Sequence, residues 1–117
     1  MNILSMNIRG FGGLTKLKSL QSLFSVLNPY LIFIEEIMCD HFQGPNYFAK
    51  IKSDWEFCAI DSLGLSGGLL TGWNPLTSRC KAFVSCAGIL VKSQFKGLSS
   101  KLYILNFYGP YSNREVF

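Results

Sequence analysis

The chain has 117 residues, 49% of them apolar and 15% charged, with a mean hydropathy of +0.26. That length makes it one domain or part of one, and folding a chain of this size buries about 65% of its unfolded surface. Eleven basic against seven acidic residues give a net charge of +4, spread along the chain, which permits a polyanionic partner without requiring one.

The high apolar content implies either a large core or apolar surface that expects a partner. The longest strongly apolar run, residues 30–34, is far shorter than the roughly 20 residues of a membrane helix. No basic segment followed by a long apolar stretch opens the chain, so a secreted protein is not expected, and the setting is read as intracellular, nuclear or cytoplasmic. Cys39, Cys58, Cys80 and Cys86 are irregularly spaced without a C-x-x-C pair. They read as reduced, buried thiols, and Cys39 with His41 alone is too small a set for a metal site.

Residues 3–8 form a short apolar strand with Asn7 near its end, and the glycine cluster Arg9-Gly10-Phe11-Gly12-Gly13 stops it. From Leu14, apolar residues at Leu17, Leu20, Leu23, Phe24 and Leu27 follow the 3.6-residue period of an amphipathic helix, with Lys16 and Lys18 on other faces. The helix should end at Asn28, because Pro29 disfavours helical geometry in its predecessor. Residues 30–34 then read as a strand buried on both faces, carrying Glu35 and Glu36 at its end. Strand, helix and strand with short links make a βαβ unit with parallel strands, which places Asn7 and Glu36 at the same edge of a sheet.

Residues 38–54, with Gly44, Pro45 and Asn46, read as a loop with at most one helical turn. Residues 56–61, 68–73, 79–85, 88–95 and 101–108 are short runs rich in β-branched and aromatic residues, separated by turn-like segments. They predict an antiparallel meander. Ser112-Asn113-Arg114-Glu115 has the S-x-x-E pattern that opens a helix.

An asparagine and a carboxylate at the carboxyl edge of neighbouring parallel strands stand where open α/β sheets place ligands. Glu36 suits a hard divalent cation, since magnesium takes oxygen ligands and needs only one or two carboxylates beside water and a substrate phosphate. From position alone, a strand end in solvent is the favoured reading of Glu36.

Asn7 with Arg9-Gly10, Pro29 and the strand ending in Glu36, Ser66-Gly67-Gly68, and Asn106-Phe107-Tyr108-Gly109-Pro110 occur in an order that resembles the endonuclease/exonuclease/phosphatase superfamily. The resemblance covers essentially the whole chain and is nearest to the plant branch related to non-LTR retrotransposon endonucleases and to apurinic/apyrimidinic endonucleases. It implies an α/β (α+β) fold in which residues 1–117 are the N-terminal half of a four-layer α/β/β/α sandwich. One βαβ unit followed by the meander would supply roughly one sheet and part of its cover.

The resemblance also implies roles. Asn7 would lie beside the metal and the scissile phosphate, and Glu36 would bind Mg²⁺ or Mn²⁺. Tyr108 would donate a hydrogen bond to the phosphate or steady the attacking group. Arg9 and Asn106 are candidate phosphate contacts, and residues 66–68 a turn and strand start without a catalytic role. Two departures stand out: Met6 replaces the family's tryptophan, and Glu35 replaces the glutamine before the metal ligand. Two adjacent carboxylates disfavour joint ionisation.

The family's Gly-Asp-Phe-Asn-like motif and closing Asp-His pair are not in this sequence, and His41 lies in an unrelated loop. The expectation is therefore part of a magnesium-dependent phosphodiester hydrolase, inactive alone, whose ancestral substrate is DNA. The alternative is a non-catalytic remnant that binds nucleic acid or a protein partner through basic residues and an exposed sheet. A phosphatase acting on small phosphoesters is a third reading, made remote by the retroelement resemblance.

Overall fold

A computed structural model describes residues 2–8, 14–35, 37, 43–60, 68–85 and 88–107. Its elements run β1 (Ile3–Asn7), α1 (Leu14–Leu27), β2 (Leu31–Glu35), α2 (Gln43–Ala49), β3 (Glu56–Ile60), β4 (Leu69–Trp73), β5 (Ser78–Ser85), β6 (Gly88–Phe95) and β7 (Leu102–Phe107). The fold is α+β, with helices on one side of a mixed sheet and an antiparallel sheet on the other.

The βαβ unit forms as the sequence predicts. β1 and β2 are parallel, with Ile3 opposite Leu31 and Asn7 opposite Glu35. Helix α1 stops at Asn28, which takes the left-handed φ of 45° and returns its N–H to the Phe24 carbonyl at 2.8 Å. Asparagine tolerates that conformation well, and Pro29 cannot continue the helix. The Asn2 side chain caps the same end, donating to the Leu27 carbonyl at 2.7 Å.

The meander is divided between two sheets, which corrects the expectation of roughly one. The first sheet has the order β1-β2-β4-β3, with β4 antiparallel to both neighbours, and the second has the order β5-β6-β7. Burial explains the division. β4 is buried at every position, as is β2 up to Ile34, and strands apolar on both faces need cover on both. β6 alternates, with Ile89, Val91, Ser93 and Phe95 buried between partly covered residues, as in a sheet whose outer face is solvated. The crossing between sheets is the turn at Asn74, whose Oδ1 accepts from the Leu76 N–H at 3.0 Å while its carbonyl accepts from Thr77 and Ser78.

Two apolar layers result. Leu20 and Phe24 of α1 and Phe48 of α2 pack on Ile32, Ile34 and Leu70. Leu31, Phe33, Leu69 and Trp73 pack on Ile89, Val91 and Phe95 between the sheets. Each fully buried aliphatic or aromatic side chain contributes about 1.5–3 kcal/mol.

Helix α2 falls where the sequence reads as loop. Pro45 sits in its first turn, where a missing N–H leaves no helical bond unmade, and the wholly buried Phe48 anchors it. The helix expected from residue 112 onward lies outside the described residues.

Candidate active-site edge

The carboxyl ends of β1 and β2 and the start of β4 meet at one end of the first sheet. Asn7 is exposed and faces Glu35 in register, while Glu35 in turn faces Leu69. The ladder continues one step further through the Ile8 N–H, which donates to the Glu35 carbonyl at 3.1 Å. Gly68, with a φ of 85°, immediately precedes β4 and accepts from the Ile37 N–H at 3.5 Å, so a strand begins where one is expected, while the turn expected before it lies outside the described residues.

The second sheet ends at the same place. Asn106 of β7 donates its side-chain amide to the Leu70 carbonyl and to Thr71 Oγ1, both at 3.1 Å, and Leu70 lies opposite Ile34 of β2. Phe107 lies opposite Gly88. Glu35 and Phe107, which precede Glu36 and Tyr108 in the chain, therefore end their strands at the edge where Asn7 ends β1.

Of the residues singled out from sequence, Asn7 and Asn106 are described, while Arg9, Glu36 and Tyr108 lie outside the described residues, as does Ser66. Asn106 is 2% exposed and turned between the sheets, where its amide nitrogen ties the two together. The register brings Glu35 opposite Asn7, so the carboxylate described at this edge is the one beside the predicted metal ligand.

Lys16 was not among the candidates. Its Nζ reaches from α1 to donate to the Ile8 carbonyl at 2.7 Å, which sets a cation at the end of β1. The same residues, with Asn7 and Ser19, border a cleft of about 250 Å³ between strand and helix. The only signal in the sequence was that Lys16 stands off the apolar stripe in the first turn of the helix.

The described donors here, the Asn7 amide and the Glu35 carboxylate, are oxygen groups, which suits a hard divalent cation. Among the described residues, no group of three or more His, Cys, Asp or Glu could hold a metal ion. No helix among them is long and apolar enough to cross a membrane.

This architecture occurs in known structures. A D. rerio TDP2 humanized by 14 mutations matches with a TM-score of 0.64 and 18% identity, over 86% of this chain and 43% of that one. The AP endonuclease LMAP from Leishmania major matches with a TM-score of 0.62 and 17% identity, over 91% of this chain and 39% of that one. The chain has the endonuclease/exonuclease/phosphatase (DNase I-like) fold. It spans about two fifths of the length of either structure. No family model matches the sequence, and no curated protein matches it.

Proposed function

We propose that the chain is the N-terminal part of a magnesium-dependent phosphodiester hydrolase of the endonuclease type, related to those of retroelements. The observation that carries this reading is the Asn7–Glu35 pairing at the carboxyl ends of two parallel strands, in a fold shared with TDP2 and an AP endonuclease. Glu36, next along the chain, holds Mg²⁺ or Mn²⁺, Asn7 lies beside the scissile phosphate, and Tyr108 donates a hydrogen bond to it. Arg9 and Lys16 offer positive charge to the phosphate, and Asn106 shapes the edge by fixing one sheet to the other. A bound cation would stabilise the charge on the leaving oxygen. DNA is the substrate class, and the setting is intracellular, nuclear or cytoplasmic.

On this reading the chain does not cleave alone, because the sequence lacks the Gly-Asp-Phe-Asn-like motif and the Asp-His pair that position or activate the water. Removing one general base costs about 10²- to 10⁴-fold in rate, and removing cooperating groups costs most of catalysis. Nicking of supercoiled plasmid with and without Mg²⁺ tests this, and no conversion above buffer is expected. Nicking that vanishes with chelator and in Glu36→Ala would overturn the inactivity.

The second reading, a non-catalytic remnant that binds nucleic acid, is favoured by one observation. Residues 62–107 contain five basic residues and no acidic one.

A further inference from the structure

The ladder between β1 and β2 stops one bond early, at the edge where Asn7 and Glu35 meet. In a parallel pair, a bridged residue donates its N–H to one residue of the partner strand and accepts at its carbonyl from the residue two further on. Ile8 makes the first of these bonds, donating to the Glu35 carbonyl at 3.1 Å. The second would run from the Ile37 N–H to the Ile8 carbonyl. That N–H goes instead to the Gly68 carbonyl at 3.5 Å, and the Ile8 carbonyl takes Lys16 Nζ of α1 at 2.7 Å.

The two replacement bonds are unequal. The Lys16 bond is short and charge-assisted, and its acceptor belongs to a residue only 7% exposed, where a carbonyl without a donor costs free energy. The Gly68 bond is long beside the usual N–H···O distance of about 2.9–3.0 Å. Ile37 is wholly buried, and its N–H makes this long bond where a ladder bond was due. Beyond Asn7 and Glu35 the two chains therefore turn to different partners, one to α1 and the other to the start of β4. Parting of neighbouring strands at their carboxyl ends is what opens a ligand crevice in sheets of this kind.

We propose that Lys16 is a positioning residue that holds this parting open. Its ammonium occupies the Ile8 carbonyl, keeps the Ile37 N–H out of the ladder, and leaves room at the Asn7–Glu35 edge for a cation and its phosphate. The last step rests on the hydrolase reading, whereas the parting of the strands does not. These contacts are internal to α1 and the first sheet, so they do not depend on what covers the outer faces.

Amide hydrogen exchange of the 117-residue chain, read residue by residue by NMR, tests this in Lys16→Met and Lys16→Arg. Methionine keeps much of the side-chain length but has no donor, so the Ile8 carbonyl turns to the Ile37 N–H and the ladder closes. Exchange at Ile37 should then slow about tenfold, the effect of one added hydrogen bond of ordinary strength. Arginine keeps the charge and the donor, so exchange at Ile37 stays at the parent rate. Slowing at this amide separates the role from a loss of stability, which speeds exchange. Exchange that is unchanged or faster in Lys16→Met overturns the proposal, as does Lys16→Arg behaving like Lys16→Met.

Mn²⁺ broadening of the Asn7 and Glu35 amides is the second readout. A lysine that acted through its charge alone would repel the cation, and its removal would strengthen binding. A lysine that holds the edge open gives the opposite sign, with Mn²⁺ binding about tenfold weaker in Lys16→Met and restored in Lys16→Arg. Equal or stronger binding in Lys16→Met overturns the proposal. No broadening in the parent chain counts against the hydrolase reading, and exchange at Ile37 then decides the role of Lys16 by itself.

Discussion

The side-chain amide of Asn106 donates to the backbone carbonyl of Leu70 across the gap between the two sheets, at 3.1 Å. Its second contact, to Thr71 Oγ1, makes the residue a polar clamp between the sheets, at the end where Asn7 and Glu35 meet. Asn106→Leu keeps the volume but removes the donor from two buried acceptors, for a loss of about 2–3 kcal/mol. Urea denaturation followed by the fluorescence of Trp55 and Trp73, both buried, measures it. A loss under about 0.5 kcal/mol would mean that the clamp is not what joins the sheets.

Gly88 is a second constraint at the same edge. Its φ is 144°, and a Cβ there would lie 2.0 Å from the Asn106 carbonyl oxygen. That oxygen belongs to backbone and cannot swing away, so Gly88→Ala must shift β6 against β7 or break their first pair. A cost of about 3 kcal/mol or more is expected in the same denaturation experiment. Gly97→Ala, with a φ of 91° and nothing within 4 Å of the added carbon, should cost less, about 1 kcal/mol.

How much of this was legible follows from what each residue could signal alone. The period from Leu17 to Leu27 and the stop at Asn28-Pro29 fix α1, and the uniform apolar run before Glu35 marks a strand covered on both faces. β4, with Thr71 and Gly72 at its centre, carries no such uniform run and does not say which sheet it enters, so its place beside β2 came only from packing. The Gly44-Pro45-Asn46 sequence reads as a turn because the anchoring contact of Phe48 is long-range. Asn106 reads as a site residue from its neighbours in sequence, and only the second sheet's approach shows its amide turned inward. Lys16 was hidden for the same reason: helix docking, not spacing, brings its ammonium to the end of β1.

Cys80 is half-buried between the sheets, and burial, with a smaller push from the negative charge of Glu56, raises its thiol from the usual 9.0 to about 11. The folded thiol therefore holds its proton more tightly than the unfolded one. Its contribution to stability is fully present below pH 9.0 and is lost as pH rises through about 11. The thiolate is the reactive form, so alkylation of Cys80 at neutral pH should run about 100-fold slower than that of a thiol of ordinary pKa. Peptide mapping after timed iodoacetamide treatment reads this out. Labelling at the rate of an ordinary thiol would contradict the burial of Cys80.

The Trp73 indole donates to Glu56 Oε2 at 3.0 Å, tying the first residue of β3 to the last of β4. Glu56→Ala removes the acceptor of a part-buried bond whose carboxylate is exposed, and should cost about 0.5–1.5 kcal/mol. The same change removes the charge that helps raise the Cys80 thiol. Cys80 alkylation should therefore speed up in Glu56→Ala, and an unchanged rate would leave burial as the whole cause.

The proposed site stands or falls on whether a divalent cation binds where Asn7 and Glu35 meet. Paramagnetic broadening by Mn²⁺ in amide NMR spectra of the chain reads this directly. Selective broadening is expected at Asn7, Glu35, Glu36 and Tyr108, disappearing in Glu36→Ala. Broadening spread over other carboxylates, or unchanged by that substitution, would contradict it.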